Sequence, residues 1–105
     1  MGDGLTRAVR AYLDHLTVER GVAANTLASY RRDLRRYREF LLGEDIEELS
    51  GVTEATVSAF LMHLREGSGD HPGLSAASAA RTLVAVRGFH KFAVRDGLAS
   101  VDPAA

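Results

Sequence analysis

The sequence lacks the residues and patterns that define several classes of protein. Its 105 residues contain no cysteine, so disulfides and thiolate chemistry are excluded and a reducing compartment is the expected environment. No apolar run approaches the ~20 residues that span a bilayer, and the N-terminus does not have the charged-then-apolar layout of a signal peptide. We therefore expect a soluble, cytoplasmic protein that has no membrane partner.

Groups that carry chemistry are equally sparse. The four histidines, His15, His63, His71 and His90, show no pair at metal-ligand spacing with a third ligand nearby. No glycine-rich loop follows a strand pattern, and no specific nucleophile constellation of serine, histidine and an acid is present. We predict no metal, no cofactor and no catalytic residue, so this chain alone should catalyse nothing.

The spacing of the apolar residues predicts an all-α fold. A length of 105 residues suits one small domain spanning residues 1–105. Apolar side chains recur at steps of three and four in separate segments, and nowhere do they alternate as in a strand. These segments predict a compact bundle of four main helices near residues 4–20, 25–42, 53–66 and 75–96.

Cap residues mark the ends of these helices. Asn25, Thr53 and Ser75 carry side-chain oxygens that can accept a first-turn backbone N–H, so each is predicted to begin a helix. Gly43 and Gly97 can take the left-handed conformation that ends a helix.

The second helix concentrates positive charge on the face opposite its apolar stripe. Between residues 25 and 42, five arginines stand against two acids: Arg31, Arg32, Arg35, Arg36 and Arg38. Like charges one turn apart destabilise an isolated helix by a few tenths of a kcal/mol. This repulsion suggests an anionic partner, and the guanidinium fork matches phosphate oxygens. A merely solvated charged face is the alternative.

The formal net charge of −1 conceals an uneven distribution. Residues 25–42 and residues 75–96 each carry a balance of +3, whereas residues 44–70 between them carry −6. Because the placement of charge governs the choice of partner more than its sum does, the two basic helices are the candidate contact elements.

The fourth helix is predicted to be buried on most sides and to leave one exposed stripe. Steps of three and four connect the residues of this stripe: Ala77, Arg81, Val84, Gly88, Lys91 and Arg95. A glycine in a helix interior costs about 1 kcal/mol relative to alanine. Gly88 therefore suggests the close approach of another backbone, from a neighbouring helix or from a DNA strand.

Three further expectations concern the remaining parts of the chain. Residues 66–74 should form an exposed, mobile loop, because their glycines and proline fit no regular element. Tyr12, Tyr30 and Tyr37 lie on apolar stripes and should place their hydroxyls at the rim of the core. Residues 102–105 leave the fourth helix in the manner of a linker.

Three segments together resemble a known family. They are residues 13–21 (LDHLTVERG), 25–34 (NTLASYRRDL) and 78–92 (SAARTLVAVRGFHKF). In order and spacing these segments are similar to the N-terminal core-binding domain of the tyrosine site-specific recombinases, and most similar to the Xer branch. The resemblance covers nearly the whole chain.

The resemblance implies a four-helix, SAM-like domain that forms one jaw of a clamp around double-stranded DNA. It implies that the other jaw, a C-terminal domain carrying the tyrosine nucleophile, is absent from this chain. Full enzymes of the family act as tetramers of related protomers and resolve chromosome dimers. We expect the isolated domain to be monomeric.

Matching positions supply the candidate DNA-binding residues. On the second helix these are Asn25, Thr26, Arg31 and Arg32, joined from the charge pattern by Arg35 and Arg36; on the fourth helix they are Ser78, Arg81, Arg87 and Lys91. Gly88 departs from the family pattern, since relatives often carry a larger, commonly basic residue there. Most contacts should be to phosphates, with Arg32 and Arg81 as first candidates for contacts in a DNA groove.

Two functions therefore stay open. The chain is a DNA-binding module of a recombinase, or it is a helical interaction domain whose arginine face meets an acidic protein surface, including the acidic segment of a second copy. A free-standing transcription regulator is disfavoured, because no helix-turn-helix spacing is recognisable. The first function requires Arg32 and Arg81 on one exposed wall, unpaired with carboxylates of the same chain.

Overall fold

A computed structural model describes residues 4–69 and 71–105. Across these residues the chain forms the α-helices α1 (Gly4–Val18), α2 (Ala24–Gly43), α3 (Glu54–Glu66) and α4 (Ala76–Arg95), with a 3₁₀ turn at Leu49–Gly51. The predicted all-α bundle of four helices is confirmed, and each predicted boundary lies within two residues of the observed one. None of the helices in the described parts combines the length and apolar character needed to cross a membrane.

The core is organised around α4, which packs against all three other helices. Eight of its side chains are buried: Ala79, Thr82, Ala85, Val86, Phe89, His90, Phe92 and Ala93. From α2, the side chains of Leu34, Tyr37 and Leu41 are fully buried. Arg81 and Lys91 on the outward stripe of α4 stay exposed, as the spacing of the sequence predicted.

A buried hydrogen bond joins α2 to α4. Tyr37 Oη and His90 Nε2 lie 2.8 Å apart, and both side chains are almost completely buried. Burial lowers the pKa of His90 to about 4, against the opposing effect of the Asp102 carboxylate, and burial also raises the pKa of Tyr37. The prediction that the Tyr37 hydroxyl lies at the rim is wrong, because His90 supplies a polar partner inside the core.

Helix caps at three of the predicted positions are confirmed. Thr53 Oγ1 accepts a hydrogen bond from Thr56 N at 3.2 Å, and Ser75 Oγ accepts one from Ser78 N at 3.2 Å. Gly97 follows α4 with a left-handed φ of 75°, which a residue without a Cβ adopts at little cost.

The two residues predicted to mark the ends of α2, Asn25 and Gly43, lie inside the helix. The helix begins at Ala24, and Ala23 occupies the N-cap position without a side-chain hydrogen bond. Asn25 is therefore not the cap; Ala24 is a good helix former and extends the helix past it. At the other end Gly43 stays helical and Asp45 takes the left-handed φ of 61°, which aspartate tolerates better than most residues.

The predicted loop between α3 and α4 contains a small paired segment. Gly67–Ser68 (β1) and His71–Pro72 (β2) form antiparallel two-residue strands. Strands this short show no alternation, so the sequence pattern did not indicate them. Asp70 and the side chain of His71 lie outside what the structure describes. A Cβ at Gly73 would overlap the carbonyl of Arg65, so glycine is needed where the chain turns back against α3.

The C-terminal segment packs onto the core. Pro103 and Ala104 are buried, and the Ala104 N–H donates to the Asp102 carboxylate at 2.9 Å. The expected linker-like departure is therefore wrong for these residues. They fold back, which brings Asp102 close enough to influence the pKa of both Tyr37 and His90.

Gly88 lies against a side chain of α1. A Cβ at Gly88 would stand 2.5 Å from Tyr12 Oη, and the Tyr12 ring packs on Phe92 with centroids 5.2 Å apart. The close approach suggested by this glycine exists. The approaching group is a tyrosine hydroxyl, and it is neither a helix backbone nor a DNA strand.

Replacing Gly88 with alanine should destabilise the fold by about 1 kcal/mol, because overpacking against Tyr12 outweighs the gain in helix propensity. In a Tyr12→Phe background the nearest remaining ring carbon stands 3.6 Å away, so the same replacement should stabilise by up to about 1 kcal/mol. Urea unfolding of the wild type, the two single variants and the double variant checks whether the effect of Gly88→Ala on the free energy of unfolding changes sign. A Gly88→Ala effect that is equal in both backgrounds would contradict the contact.

The buried His90 should make stability depend on pH. Its pKa in the folded state lies below the value of 6.5 for an exposed histidine, so the unfolded chain binds more protons between these values. The stabilisation is present above pH 6.5 and is lost as the pH falls toward 4. By pH 5 the free energy of unfolding should have fallen by about 2 kcal/mol. Urea unfolding at pH 7 and pH 5 measures this, and His90→Gln should remove that part of the decline. Equal declines in both proteins would refute the assignment.

Candidate nucleic-acid interface

Most arginines of α2 stand on its outward face and have no acidic partner among the residues that the structure describes. Arg31, Arg32 and Arg35 are exposed and Arg36 is half-buried. In the described parts of the chain, the recorded ion pair is His15 with Glu19 at 3.2 Å, and no arginine reaches a carboxylate at salt-bridging distance. The positive charge of this face is therefore not neutralised by the described residues.

Arg38 differs from the other arginines of α2. It is half-buried, and its Nη1 donates to Thr6 Oγ1 on α1 at 3.3 Å. This side chain is turned toward the neighbouring helix and is not part of the outward face.

A groove between α2 and α4, hereafter the α2–α4 groove, brings candidate residues of both helices together. Its volume is about 360 Å³, and it is lined by Asn25, Thr26, Ser29, Tyr30, Asp33, Arg81, Val84 and Ala85. Arg32 Nη2 donates to Ser29 Oγ at 3.3 Å. Arg32 is thus bonded to a residue of the groove that Arg81 also lines.

A second, larger depression lies between α2 and the end of α3, hereafter the α2–α3 cleft. Its volume is about 730 Å³. One wall carries Arg32, Arg35 and Arg36, and Glu39 and Glu44 follow toward the C-terminal end of α2. The cleft is therefore basic at one end and acidic at the other, and Arg32 borders both depressions.

The remaining candidates line neither depression. Arg87 is turned about 120° around the α4 axis from Arg81, and Lys91 about 80°, at roughly 100° per residue. Arg31 is similarly turned about 100° from Arg32. These three side chains are exposed. The structure thus brings together Asn25, Thr26, Arg32, Arg35, Arg36 and Arg81 along two adjoining depressions.

Ser78 has a structural task at the start of α4. Its N–H donates to Ser75 Oγ at 3.2 Å, and its hydroxyl accepts from the Ser75 hydroxyl at 3.2 Å. Its carbonyl accepts from Thr82 Oγ1 at 3.1 Å. The N–H, the carbonyl and the acceptor side of the hydroxyl of Ser78 are therefore used in the first turn of α4.

Asp33 is a polar residue that the sequence reasoning counted only as a countercharge. It is 3% exposed and accepts a hydrogen bond from Thr82 Oγ1 at 3.3 Å. A signal for this burial was present, because Asp33 stands three residues after Tyr30 and four before Tyr37 and so continues the apolar stripe of α2.

Residues 9–97 match the family described as phage integrase, N-terminal SAM-like domain. The chain belongs to this family. Its four helices and the confirmed resemblance to tyrosine recombinases agree with that membership.

Several curated proteins are similar to this chain. Tyrosine recombinase XerD of Mycobacterium tuberculosis (strain ATCC 25618 / H37Rv) is 57% identical over 102 residues, which cover 95% of this chain and 33% of that protein. XerD of Mycobacterium leprae is 53% identical over 95% of this chain and 32% of its own length. XerD of Corynebacterium glutamicum is 43% identical over 91% of this chain and 32% of its own length. The chain thus spans about a third of the length of these relatives. No solved structure matches it.

Supplying the missing cap of α2 should stabilise the protein. In Ala23→Ser the new hydroxyl can accept a hydrogen bond from a first-turn N–H, which has no side-chain partner in the present structure. This cap should raise the free energy of unfolding by about 1 kcal/mol. Urea unfolding measures the gain. Ala24→Ser, one residue inside the helix, is the matched control and should be neutral or slightly destabilising because serine is a poorer helix former. Equal free energies of unfolding for the two variants would contradict the assignment of Ala23 as the N-cap position.

Proposed function

We propose that this chain is the DNA-binding N-terminal domain of a XerD-like tyrosine recombinase that works in the cytoplasm. Residues 1–105 form one domain and one jaw of a clamp around double-stranded DNA, and the catalytic domain of the full-length enzyme forms the other. Full-length protomers assemble as tetramers for site-specific recombination and the resolution of chromosome dimers. Membership in the phage integrase SAM-like family and similarity to XerD proteins support this proposal.

The observation that carries the proposal is the position of Arg32 and Arg81. Arg32 bonds to Ser29, which lines the same groove as Arg81, and no arginine is paired with a carboxylate among the described residues. A phosphate backbone lying along this wall would meet guanidinium groups from two helices. Such contacts fix the position of a protein on DNA and contribute most of its sequence-independent affinity.

The start of α2 adds a second kind of phosphate contact. Ala23 provides no side-chain cap, so first-turn N–H groups remain available beside Asn25 and Thr26. These groups and the positive end of the helix dipole favour an anion. We assign backbone contacts to Asn25 and Thr26 on this ground.

The remaining candidates divide by their place on the surface. Arg35 and Arg36 extend the basic wall along the α2–α3 cleft. Arg31, Ser78, Arg87 and Lys91 stay in the proposal as weaker members, because they line neither depression and Ser78 is already bonded at the start of α4.

An interaction domain is the second candidate function. The exposed carboxylates of Glu44, Asp45, Glu47 and Glu48 follow the arginine helix directly. They could meet the basic face of a second copy. This alternative requires self-association that strengthens with protein concentration, and it requires no affinity for DNA.

A salt series separates the two functions. Fluorescence anisotropy with a labelled duplex should give an affinity whose logarithm falls with log salt at a slope of roughly −4 to −5, if about five phosphates are contacted. In the double variant Arg32→Ala with Arg81→Ala, binding should weaken and the slope should become shallower by about 2, because two phosphate contacts are removed.

The control is a double variant of equal charge change on other helices. Arg10 on α1 and Arg65 on α3 are exposed, so Arg10→Ala with Arg65→Ala should leave the slope almost unchanged. Equal loss in both double variants would indicate a general charge effect and would contradict the assigned wall. A mass that rises with protein concentration, with no DNA bound, would favour the interaction domain.

A further inference from the structure

The floor of the α2–α4 groove holds a carboxylate with very few hydrogen-bond donors. Asp33 Oδ1 accepts from Thr82 Oγ1 at 3.3 Å, but the same hydroxyl also lies 3.1 Å from the Ser78 carbonyl oxygen. A hydroxyl has one proton, so it can serve only one of these acceptors at a time. A carboxylate can accept several hydrogen bonds. Asp33 is only 3% exposed, and it receives a single hydrogen bond from a hydroxyl that it shares with the Ser78 carbonyl.

The second oxygen of this carboxylate keeps a small contact with open space. Asp33 Oδ2 has no hydrogen-bond partner among the described residues. In that same part of the chain, no fully buried side-chain nitrogen or oxygen is left without a partner. Oδ2 must therefore reach open space, and Asp33 lines the α2–α4 groove. The groove thus has a negatively charged acceptor at its floor.

The rest of the groove suits a flat organic group with an anion attached. Tyr30 and Val84 supply an aromatic and an aliphatic surface, and Arg81 supplies a cation. Val84 is 58% exposed, so apolar surface is available without any rearrangement of the core. A volume of about 360 Å³ accommodates a group the size of one nucleobase.

We propose that the α2–α4 groove is a pocket for cytosine or adenine, the bases whose exocyclic amino group is attached at C4 or C6, when that base has left the base stack. The amino N–H donates to Asp33 Oδ2, the ring lies against Tyr30 and Val84, and Arg81 pairs with the phosphate of the same nucleotide. This inference rests on the proposed DNA-binding function. It adds a residue that distinguishes bases to a surface whose arginines were assigned contacts with the phosphate backbone.

The charge of Asp33 explains why a base, and not the phosphate backbone, would enter the α2–α4 groove. A phosphate at the floor would be repelled by Asp33, whereas the amino group of cytosine is a donor that carboxylates accept. Uracil presents a carbonyl oxygen at the equivalent place and offers no donor there. Aromatic and aliphatic walls hold unstacked bases through their faces, which is the usual mode of recognition for single strands.

The test compares two single-stranded probes. Oligo(dC) and oligo(dU) of equal length differ at the amino or carbonyl edge of each base, and their affinities are measured by anisotropy at neutral pH. The wild-type chain should prefer oligo(dC) by about tenfold. Asp33→Asn should abolish the preference, because the amide can donate to uracil as well as accept from cytosine. Asp14→Asn, an exposed carboxylate of α1 with the same charge change, should retain it.

A second variant does not depend on the buried carboxylate. Val84→Phe places a ring at the exposed side of the groove, and it should also remove the preference while thermal unfolding confirms that the protein is folded. If Asp33→Asn does not fold, this variant decides. Equal binding of the two oligonucleotides by the wild-type chain, or a preference that survives a folded variant of either position, overturns the pocket.

Duplex binding measured in parallel distinguishes the two levels of inference. A duplex that binds with the expected salt slope, together with equal affinity for both oligonucleotides, removes the pocket and leaves the proposed function intact. An absence of binding to duplex and to both oligonucleotides contradicts the proposed function and the pocket together.

Discussion

The packing of α2 against α4 is the constraint on which the rest of the structure depends. Tyr37 and His90 each carry a polar group that is buried in the core, and the 2.8 Å bond between them satisfies both. A buried polar group without a partner would cost about 1–3 kcal/mol, so the two helices have one favourable register and rotation. Asp33 and Thr82 repeat this arrangement two turns earlier on α4. Every outward-facing side chain of the two helices takes its position from these inner contacts.

That rotation determines where the charge of the chain is presented. Because its apolar stripe is turned inward, α2 carries its arginines other than Arg38 on the outside, where no acid of the described residues neutralises them. Part of the acidic segment lies away from these arginines: Glu48 accepts a hydrogen bond from the backbone of Gly4 at 3.0 Å, at the start of α1. A formal net charge of −1 is therefore compatible with a strongly basic wall.

The proposed function and the proposed pocket place two kinds of recognition on the surface between α2 and α4. Exposed guanidinium groups such as those of Arg32 and Arg81 suit the phosphate backbone, which is the same for every sequence. The recessed carboxylate of Asp33 is unsuited to phosphate and can distinguish a donor from an acceptor. In these proposals the exposed arginines contact phosphate, and the buried carboxylate at the floor of the groove contacts the base. Both sets of residues lie in a chain that spans about a third of the length of the relatives that it resembles.

The sequence by itself determined the helices, most of their caps and the basic character of two of them, because these depend on neighbours within a few residues. Thr53 and Ser75 cap their helices through atoms three positions away, so the pattern was sufficient. Only the tertiary structure decided that Gly88 faces Tyr12, that residues 102–105 fold back, and that Asp33 lines a groove. Each of these depends on contacts between segments far apart in the chain, whose relative position is set by packing and cannot be read from spacing along one helix.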